Sequence, residues 1–219
     1  SGIEVLYPPR GKKVGLKKII NKIDGIIVRS GTIVDEQLMN KAKNLQVIAR
    51  AGVGIDNIDV SYATRRGIVV INTPDVNTIS AAEHTIAMLL ALSRNLHIAH
   101  DKLINGQWGR HALIGTELKN KVIGVIGLGK IGREVITRCK SFGMKVIGYD
   151  PYVNGENFEK GEIEILDLDS VIKSADYITL HIPLNSSTKN LFNHSRLSNM
   201  KPTARIINVA RGGIINEAD

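Results

Sequence analysis

The 219-residue chain has room for one large α/β domain or two small ones, with a sizeable core in either case. Its net charge of +8 comes from scattered lysines with few aromatic side chains, which favours a solvated surface over a nucleic-acid interface, and its apolar runs are too short to cross a bilayer. The single cysteine, Cys139, excludes an internal disulfide and is predicted to be a small packing residue. We therefore predict a cytoplasmic protein with neither a nucleic-acid nor a membrane partner.

Short apolar strands alternate with helical patterns through the first third of the chain. We predict strands over residues 3–6, 25–29, 46–50 and 68–71, and helices over 14–23, 35–42 and 59–66. This alternation predicts a parallel sheet with helices on both faces. Ligands of such sheets bind at the carboxyl ends of the strands.

Two of these carboxyl ends carry an arginine. Arg29 and Ser30 follow one strand, and Arg50 begins a glycine-bracketed loop that contains Val53 and Gly54. Guanidinium groups and bare backbone amides both suit a carboxylate or a phosphate, so an anion site is one interpretation. A pair of surface arginines beside a turn is the other, and spacing alone does not separate the two.

A long helix follows, in which Ser80 and Glu83 have the spacing of a capping box. Apolar residues on nearly all sides between 81 and 92 predict burial between two bodies, and the pattern is amphipathic from 94 to 104. We predict that His84 on this helix is a buried structural histidine rather than a catalyst. The loop over 107–118 has apolar side chains without a period, which favours packing against a second subunit.

The second half of the chain begins with a strand, a glycine-rich turn, a helix and a second strand. The first strand is predicted over 122–126, the glycines are Gly127, Gly129 and Gly132, and the second strand, over 145–149, ends at Asp150. This order is typical of dinucleotide binding: the first glycine permits a tight turn, the second lets amides approach a pyrophosphate, and the third lets the helix pack closely. Asp150 can accept both ribose hydroxyls, and no arginine follows to hold a 2′-phosphate, so we predict NAD rather than NADP. A tight turn without a ligand is the alternative.

The remaining chain continues the alternation. We predict helices over 168–174 and 194–200, the first capped by Asp167, and strands over 177–182 and 205–209. His181 either lines a cofactor cleft or is structural. Arg211, beside two glycines, is a further arginine at a carboxyl end.

Five stretches together resemble the D-2-hydroxyacid dehydrogenases and follow that family's order over nearly the whole chain. They are VRS at 28–30, ARAGVGIDN at 49–57, NTISAAEHT at 77–85, GLGKIG at 127–132 and NVARGG at 208–213. The resemblance implies two doubly wound parallel-sheet domains, both incomplete. A flavodoxin-like substrate domain would occupy 1–78 and a Rossmann-type NAD-binding domain 106–219, joined by a helix over 79–105.

The resemblance is strongest to the branch that oxidises D-3-phosphoglycerate to 3-phosphohydroxypyruvate with NAD in serine synthesis. It implies a homodimer or higher oligomer and no metal. Arg211 would pair with the substrate carboxylate and polarise the reacting carbon, amides at Val53 and Gly54 would hold that carboxylate, and Arg29, Ser30 and Arg50 would bind the distal phosphate. Cofactor contacts are implied for Val53, Gly127, Gly129, Lys130, Ile131, Gly132, Asp150, Ile182, Pro183 and Val209.

One feature of the family is not matched. There a histidine in a Pro-His context takes the hydroxyl proton with the help of a glutamate, both after the Arg-Gly-Gly motif, and these 219 residues contain neither. General base catalysis contributes typically 10²- to 10⁴-fold. We therefore expect a piece of a longer dehydrogenase, truncated at both ends and inactive or nearly so alone. A dehydrogenase for another 2-hydroxy acid and an NADH-sensing, corepressor-like binding protein are the alternatives.

Overall fold

The computed structural model describes residues 2–7, 19–153, 158 and 163–219, without the side chains of residues 110 and 112. The chain divides into two compact units, Ser1–Val76 and Asn77–Asp219. Each unit is built on a parallel sheet with helices between most successive strands, which confirms the predicted fold class.

The first unit has three parallel strands, in the spatial order β1 (Gly25–Val28), β2 (Val47–Arg50) and β3 (Val69–Asn72). Helices α1 (Glu36–Lys41) and α2 (Val60–Arg65) connect them. Each helix begins at an aspartate whose carboxylate accepts a backbone amide of the first turn, Asp35 from Leu38 and Asp59 from Tyr62, both at 2.8 Å. These side-chain caps fix where the helices start.

One face of this first sheet departs from the prediction. The face that carries Val28 and Ile48 is buried under the helices, whereas Ile27, Val69 and Ile71 on the other face are 79%, 57% and 51% exposed. Within the described residues, helices therefore cover only one of the two faces. Side chains alternate between faces along a strand, so the same strands supply both the core and this exposed apolar surface.

The predicted strand over 3–6 is wrong. Residues 2–7 form no regular secondary structure and pair with no strand in the described part of the chain, and Ile3 and Val5 are exposed. Alternating apolar residues form a strand only where a neighbouring strand supplies ladder hydrogen bonds. The predicted helix over 14–23 lies mostly outside the described residues.

The second unit has a five-stranded parallel sheet, with strands β4 (Val122–Ile126), β5 (Lys145–Tyr149), β6 (Glu164–Ile165), β7 (Tyr177–Leu180) and β8 (Arg205–Asn208). Their spatial order is β6-β5-β4-β7-β8. The helices are α3 (Thr78–Ser93), α4 (Leu96–Ile104), α5 (Lys130–Ser141), α6 (Leu168–Ser174) and α7 (His194–Ser198), with a 3-10 turn at Arg110–Leu113. Apart from the helix over 81–104, the remaining predicted strands and helices are found, with ends displaced by one or two residues at most.

The predicted continuous helix over 81–104 is in fact two helices. The chain turns at Asn95, which adopts the left-handed conformation (φ 53°) that asparagine tolerates better than most residues. The carbonyls that end α3 have partners outside the helix: Leu92 accepts from the Arg205 guanidinium at 2.5 Å and Ser93 from the Thr116 amide at 2.7 Å. These bonds stabilise a helix end that the apolar pattern does not indicate.

Three details predicted for α3 are also wrong. The helix is preceded by Asn77, so Ser80 lies inside the first turn and caps nothing. Burial is limited to one face, which includes Ala82 and Leu89, whereas Met88 is exposed. His84 is exposed rather than buried. In the described chain α3 is thus a one-sided helix rather than a helix buried all round.

Cys139 lies fully buried in the core under β4, and this burial raises the pKa of its thiol to about 12. The prediction of a packing residue rather than a nucleophile is confirmed. No helix in the described ranges is both long and apolar enough to cross a membrane.

Candidate functional site

The glycine-rich turn at the end of β4 is held against the end of β7. Gly127 has a φ of 95°, and a Cβ there would lie 2.5 Å from the carbonyl oxygen of His181. The amide of His181 in turn donates to the carbonyl of Ile126 at 2.7 Å. Only glycine fits this buried turn, because both the backbone angle and the close approach exclude a side chain.

The other two glycines differ in the space around them. A Cβ on Gly132 would overlap the carbonyl oxygen of Gly127, so α5 can approach the turn only without a side chain there. A Cβ on Gly129 would meet nothing within 4 Å. Gly129 precedes the first residue of α5, and no side chain caps that helix. The start of α5 therefore offers backbone amides to open space, which suits a phosphate group.

Asp150, at the end of β5, lies beside this turn. Its carboxylate accepts the amide of Leu128, inside the turn, at 2.8 Å and the amide of Tyr152 at 2.9 Å. These bonds fix the orientation of a half-buried carboxylate whose remaining lone pairs can accept hydroxyl groups. The arrangement fits the adenosine ribose of NAD, and contact with the ribose stays a prediction.

The chain order of the sheet changes direction at β4, which has β5 on one side and β7 on the other. Ligands of doubly wound sheets bind at such a switch point, outside the carboxyl ends of the strands. Half-buried Ile182 and exposed Pro183 follow β7, and half-buried Val209 follows β8 at the same edge of the sheet. Of the other predicted cofactor residues, exposed Lys130 and half-buried Ile131 open α5.

His181 is uncharged at neutral pH. Burial lowers its pKa to about 4, and its Nε2 lies 3.0 Å from the hydroxyl of the fully buried Thr179. Because its carbonyl lies close to Gly127, the residue packs against the glycine-rich turn. This geometry favours the structural interpretation of His181 over a role as an acid at neutral pH.

Arg211 follows β8 in a loop held by Asn208. The side-chain amide of Asn208 donates to the Arg211 carbonyl at 2.8 Å, and its oxygen accepts the Ala210 amide at 3.1 Å. The half-buried Arg211 guanidinium donates to the Ala210 carbonyl at 2.8 Å. Sequence reasoning gave Asn208 no role, although an asparagine just before a turn commonly bonds to the backbone two residues on.

In the first unit, the predicted loop after β2 is shaped around Arg50. The guanidinium donates to the Ala51 carbonyl at 2.6 Å, and a Cβ on Gly52, whose φ is 152°, would overlap that guanidinium. The Arg50 Nε is buried and has no hydrogen-bond partner in the described part of the chain. The amides of Val53 and Gly54 likewise have no acceptor among the described residues. Unused donors of this kind suit an anion.

Arg29 and Ser30 lie exposed at the end of β1, beside the strand that ends in Arg50. Their loop is fastened by Asn57, whose side-chain amide donates to the carbonyls of Arg29 at 3.1 Å and Thr32 at 2.6 Å. The side-chain amide of Asn72 donates to the Val53 carbonyl at 2.7 Å. Sequence reasoning missed both asparagines, because their partners lie far away along the chain.

No group of three or more histidine, cysteine, aspartate or glutamate side chains that could hold a metal ion occurs in the residues that the structure describes.

Residues 86–219 match the sequence profile of the NAD-binding domain of the D-isomer specific 2-hydroxyacid dehydrogenases. The chain belongs to this family. The resemblance drawn from the five sequence stretches is thereby confirmed, and NAD is the cofactor of this dehydrogenase domain. The open start of α5 and the carboxylate of Asp150 fit that cofactor.

Similar dehydrogenases align with most of this chain. The D-3-phosphoglycerate dehydrogenase of Synechocystis sp. is 49% identical over 199 residues, which are 91% of this chain and 36% of the relative. The human D-3-phosphoglycerate dehydrogenase is 43% identical over 216 residues, 99% of this chain and 40% of the relative. The chain thus spans well under half the length of these relatives.

Solved dehydrogenase structures have the same fold. A D-lactate dehydrogenase from Aquifex aeolicus, complexed with NAD and lactic acid, has a TM-score of 0.84 and 34% identity, covering 91% of this chain and 60% of that one. An NAD-dependent formate dehydrogenase from Staphylococcus aureus, in complex with NAD, has a TM-score of 0.86 and 33% identity, covering 93% and 62%. Both carry the cofactor that we predicted from the glycine-rich turn.

Proposed function

We propose that the protein to which this chain belongs is an NAD-dependent oxidoreductase that converts D-3-phosphoglycerate to 3-phosphohydroxypyruvate, a step of serine synthesis. The observation that carries the choice of substrate is the pair of arginines at the ends of β1 and β2, where the buried Nε of Arg50 has no hydrogen-bond partner in the described residues. A phosphorylated acid has two anionic groups that guanidinium groups can bind. An unphosphorylated acid has only its carboxylate, which leaves the second guanidinium without an anionic partner. The names of similar proteins at 42% to 49% identity support the same choice.

In this proposal the first unit binds the anionic ends of the substrate. Arg29, Ser30 and Arg50 bind the phosphate through charge-assisted hydrogen bonds, and the amides of Val53 and Gly54 hold the carboxylate. The unused donors of this loop are ready for a ligand without rearrangement, because Gly52 and Arg50 already fix its shape.

The second unit holds the cofactor and polarises the reacting carbon. Oxidation removes a proton from the C2 hydroxyl and a hydride from C2, and NAD, when bound, accepts the hydride. Gly129 and the start of α5 bind the pyrophosphate, and Asp150 orients the ribose. Arg211 pairs with the substrate carboxylate and withdraws electron density from the carbonyl that forms.

We propose that these 219 residues do not supply the proton acceptor. No residue here matches the family's Pro-His histidine or its glutamate, His181 is neutral and tied to Thr179, and His84 lies exposed on α3. The chain is then a binding scaffold whose turnover alone is slow or absent.

Turnover by a longer polypeptide that includes the family's histidine and glutamate tests the substrate. We expect a higher kcat/KM for 3-phosphohydroxypyruvate than for glyoxylate or pyruvate, with NADH preferred over NADPH. Preference for an unphosphorylated acid would refute the substrate assignment while leaving the dehydrogenase assignment intact. Absence of any oxidoreduction, together with NADH-dependent capture of a peptide, would favour the binding-protein alternative.

We also propose a homodimer or higher oligomer. In the second unit α4 buries none of its side chains, and the neighbouring loop exposes Trp108, which is 82% accessible. Other exposed apolar side chains of the second unit are Met88, Leu96, Ile98, Leu103, Ile104 and Ile114. Large exposed apolar side chains in this number are typical of interfaces. Sedimentation equilibrium of the chain tests this, since a monomer at all concentrations would contradict it.

The proposed compartment is the cytoplasm. Its support is the state of the single cysteine, a free and fully buried thiol in the core. Localisation of a tagged full-length protein tests the assignment.

A further inference from the structure

We infer that Asn57 and Asn72 are positioning residues that fasten the two anion-binding loops of the first unit separately, Asn57 for the phosphate end of the substrate and Asn72 for the carboxylate end. The inference rests on the proposed function, in which Arg29 serves the phosphate and the Val53 and Gly54 amides serve the carboxylate. Neither asparagine need touch the ligand. Each acts through the loop that it holds.

Asn57 fastens the loop after β1 at three points. Its side-chain amide donates to the carbonyls of Arg29 (3.1 Å) and Thr32 (2.6 Å), and its own carbonyl accepts the Val34 amide at 2.8 Å. An amide group has two N–H donors, and here each has one carbonyl. The loop has few other constraints, since Arg29 and Ser30 are exposed and the Thr32 amide reaches the Arg29 carbonyl only at 3.3 Å.

Asn72 fastens the loop after β2 from the end of the next strand. Its side-chain amide donates to the Val53 carbonyl at 2.7 Å, and the following amide, of Thr73, donates to the Gly52 carbonyl at 3.1 Å. Asn72 pairs with Arg50 in the register of β2 and β3. These donors occupy the carbonyls of Gly52 and Val53. The amides of Val53 and Gly54 have no acceptor among the described residues, so they can bind a ligand.

The two asparagines share no hydrogen-bond partner, so their effects are separable. Removing either asparagine side chain leaves its loop less constrained, and the ligand must then order that loop on binding. Loss of Asn57 weakens groups bound by Arg29, and loss of Asn72 weakens groups bound by the Val53 and Gly54 amides. A general structural defect would instead weaken both kinds of ligand together.

The test is a titration of the 219-residue chain with three probes, inorganic phosphate, D-glycerate and 3-phospho-D-glycerate, in the presence of NAD. For Asn57→Ala we expect affinity for phosphate and for 3-phospho-D-glycerate to fall about three- to tenfold, with D-glycerate unchanged. For Asn72→Ala we expect D-glycerate and 3-phospho-D-glycerate to weaken by a similar factor, with phosphate unchanged. Asn57→Asp removes the N–H donors and adds a negative charge, so it should weaken phosphate and 3-phospho-D-glycerate at least as much as Asn57→Ala does.

The matched control is Asn40→Ala. Asn40 accepts a hydrogen bond from the Tyr62 hydroxyl in the same unit and touches neither loop, so all three affinities should stay at the wild-type value. If Asn57→Ala and Asn72→Ala both weaken all three probes equally, or neither changes any, the inference is overturned.

A wild-type measurement decides the matter if the variants do not fold. The side-chain amide resonances of Asn57 should shift on adding phosphate, and those of Asn72 on adding D-glycerate. The reverse pattern, or no shift of either, overturns the inference. Failure of the proposed substrate gives a different result: the wild-type chain would then bind 3-phospho-D-glycerate no more tightly than D-glycerate, whatever the variants do.

Discussion

The two units of this chain build ligand loops in different ways. In the second unit Gly127, Gly129 and Gly132 lie within one short stretch, and backbone close approach fixes the turn. In the first unit Arg29 and Arg50 come from separate strands, and their loops are fastened by asparagines 28 and 19 positions from the carbonyls they bind. The glycines that shape the turn are thus close together in the chain, although His181 and Asp150 also contact it, whereas the anion loops are fastened by side chains from distant positions. We therefore expect a single substitution in the turn to abolish NAD binding, and single substitutions in the anion loops to weaken ligand binding only partly.

The largest effect should come from Gly132→Ala, which places a methyl group on the Gly127 carbonyl. Because the obstacle is buried backbone, we expect the free energy of unfolding of the second unit to fall by about 3 kcal/mol, with NAD binding lost. Gly129→Ala is the matched control, since its methyl group meets open space. It should lower NAD affinity while leaving denaturant unfolding unchanged. Equal stability of the two variants would show that close packing does not define the turn.

In the first unit, Arg50→Gln removes one charge and its hydrogen bonds from the loop. We expect affinity for 3-phospho-D-glycerate to fall about 10- to 100-fold, because hydrogen bonds to charged groups contribute more than neutral ones. Arg65→Gln is the control, at the last turn of α2 over the Tyr62 ring. Calorimetric titration measures both variants. A similar loss in the control would mean that net charge alone, rather than the loop, attracts the ligand.

A pH experiment tests whether the His181 side chain, next to the glycine-rich turn, is held neutral in the folded chain. His181 has a pKa of about 4 in the folded chain against 6.5 for an ordinary histidine, so the unfolded chain binds more protons between these values. Its contribution to stability is full above pH 6.5 and is lost as pH falls toward 4. Between about pH 6.5 and pH 5 the loss should be roughly 2 kcal/mol.

His181→Asn should remove this part of the pH dependence of the unfolding free energy, whereas His84→Asn, on the exposed surface of α3, should retain it. The comparison needs denaturant unfolding at the two pH values for each variant. Identical slopes for wild type and His181→Asn would mean that the imidazole is not held neutral in the folded chain.

The smallest effect should come from Asp150→Asn. The asparagine oxygen can still accept the Leu128 amide, so the turn persists. The bond from the Tyr152 amide is lost, as is the charge that orients the ribose and repels a 2′-phosphate. We expect NAD affinity to fall about tenfold and the preference for NAD over NADP to narrow. Asp169→Asn, an exposed partner of Arg196, is the control and should change neither. An unchanged NAD to NADP ratio would remove Asp150 from the specificity of the site.

The sequence could predict what is local. The strands, the capped helices and the glycine-rich turn follow from periodicity and from residues close together in the chain, as the cap of α6 by Asp167 illustrates. The resemblance added roles for Arg29, Arg50 and Arg211 that no pattern of spacing supplies. Those roles remain predictions.

The sequence could not predict features set by distant partners. The helix break at Asn95 depends on bonds from Arg205 and Thr116 to the end of α3. The strand predicted over 3–6 has a suitable pattern but pairs with no strand among the described residues. β6, with only two residues, is an edge strand defined by its pairing with β5 rather than by its composition. In each case the secondary structure depends on hydrogen bonding with residues distant in the chain rather than on the local sequence pattern.

We propose that these 219 residues bind cofactor and substrate but do not transfer the hydroxyl proton. The most direct test is NADH oxidation by the purified chain with 3-phosphohydroxypyruvate, alongside a titration showing that NADH binds. We predict bound NADH and no steady oxidation, with activity in a longer polypeptide that carries the family's histidine and glutamate. Steady oxidation by the 219 residues alone would contradict the account, because a residue within them would then be the proton donor.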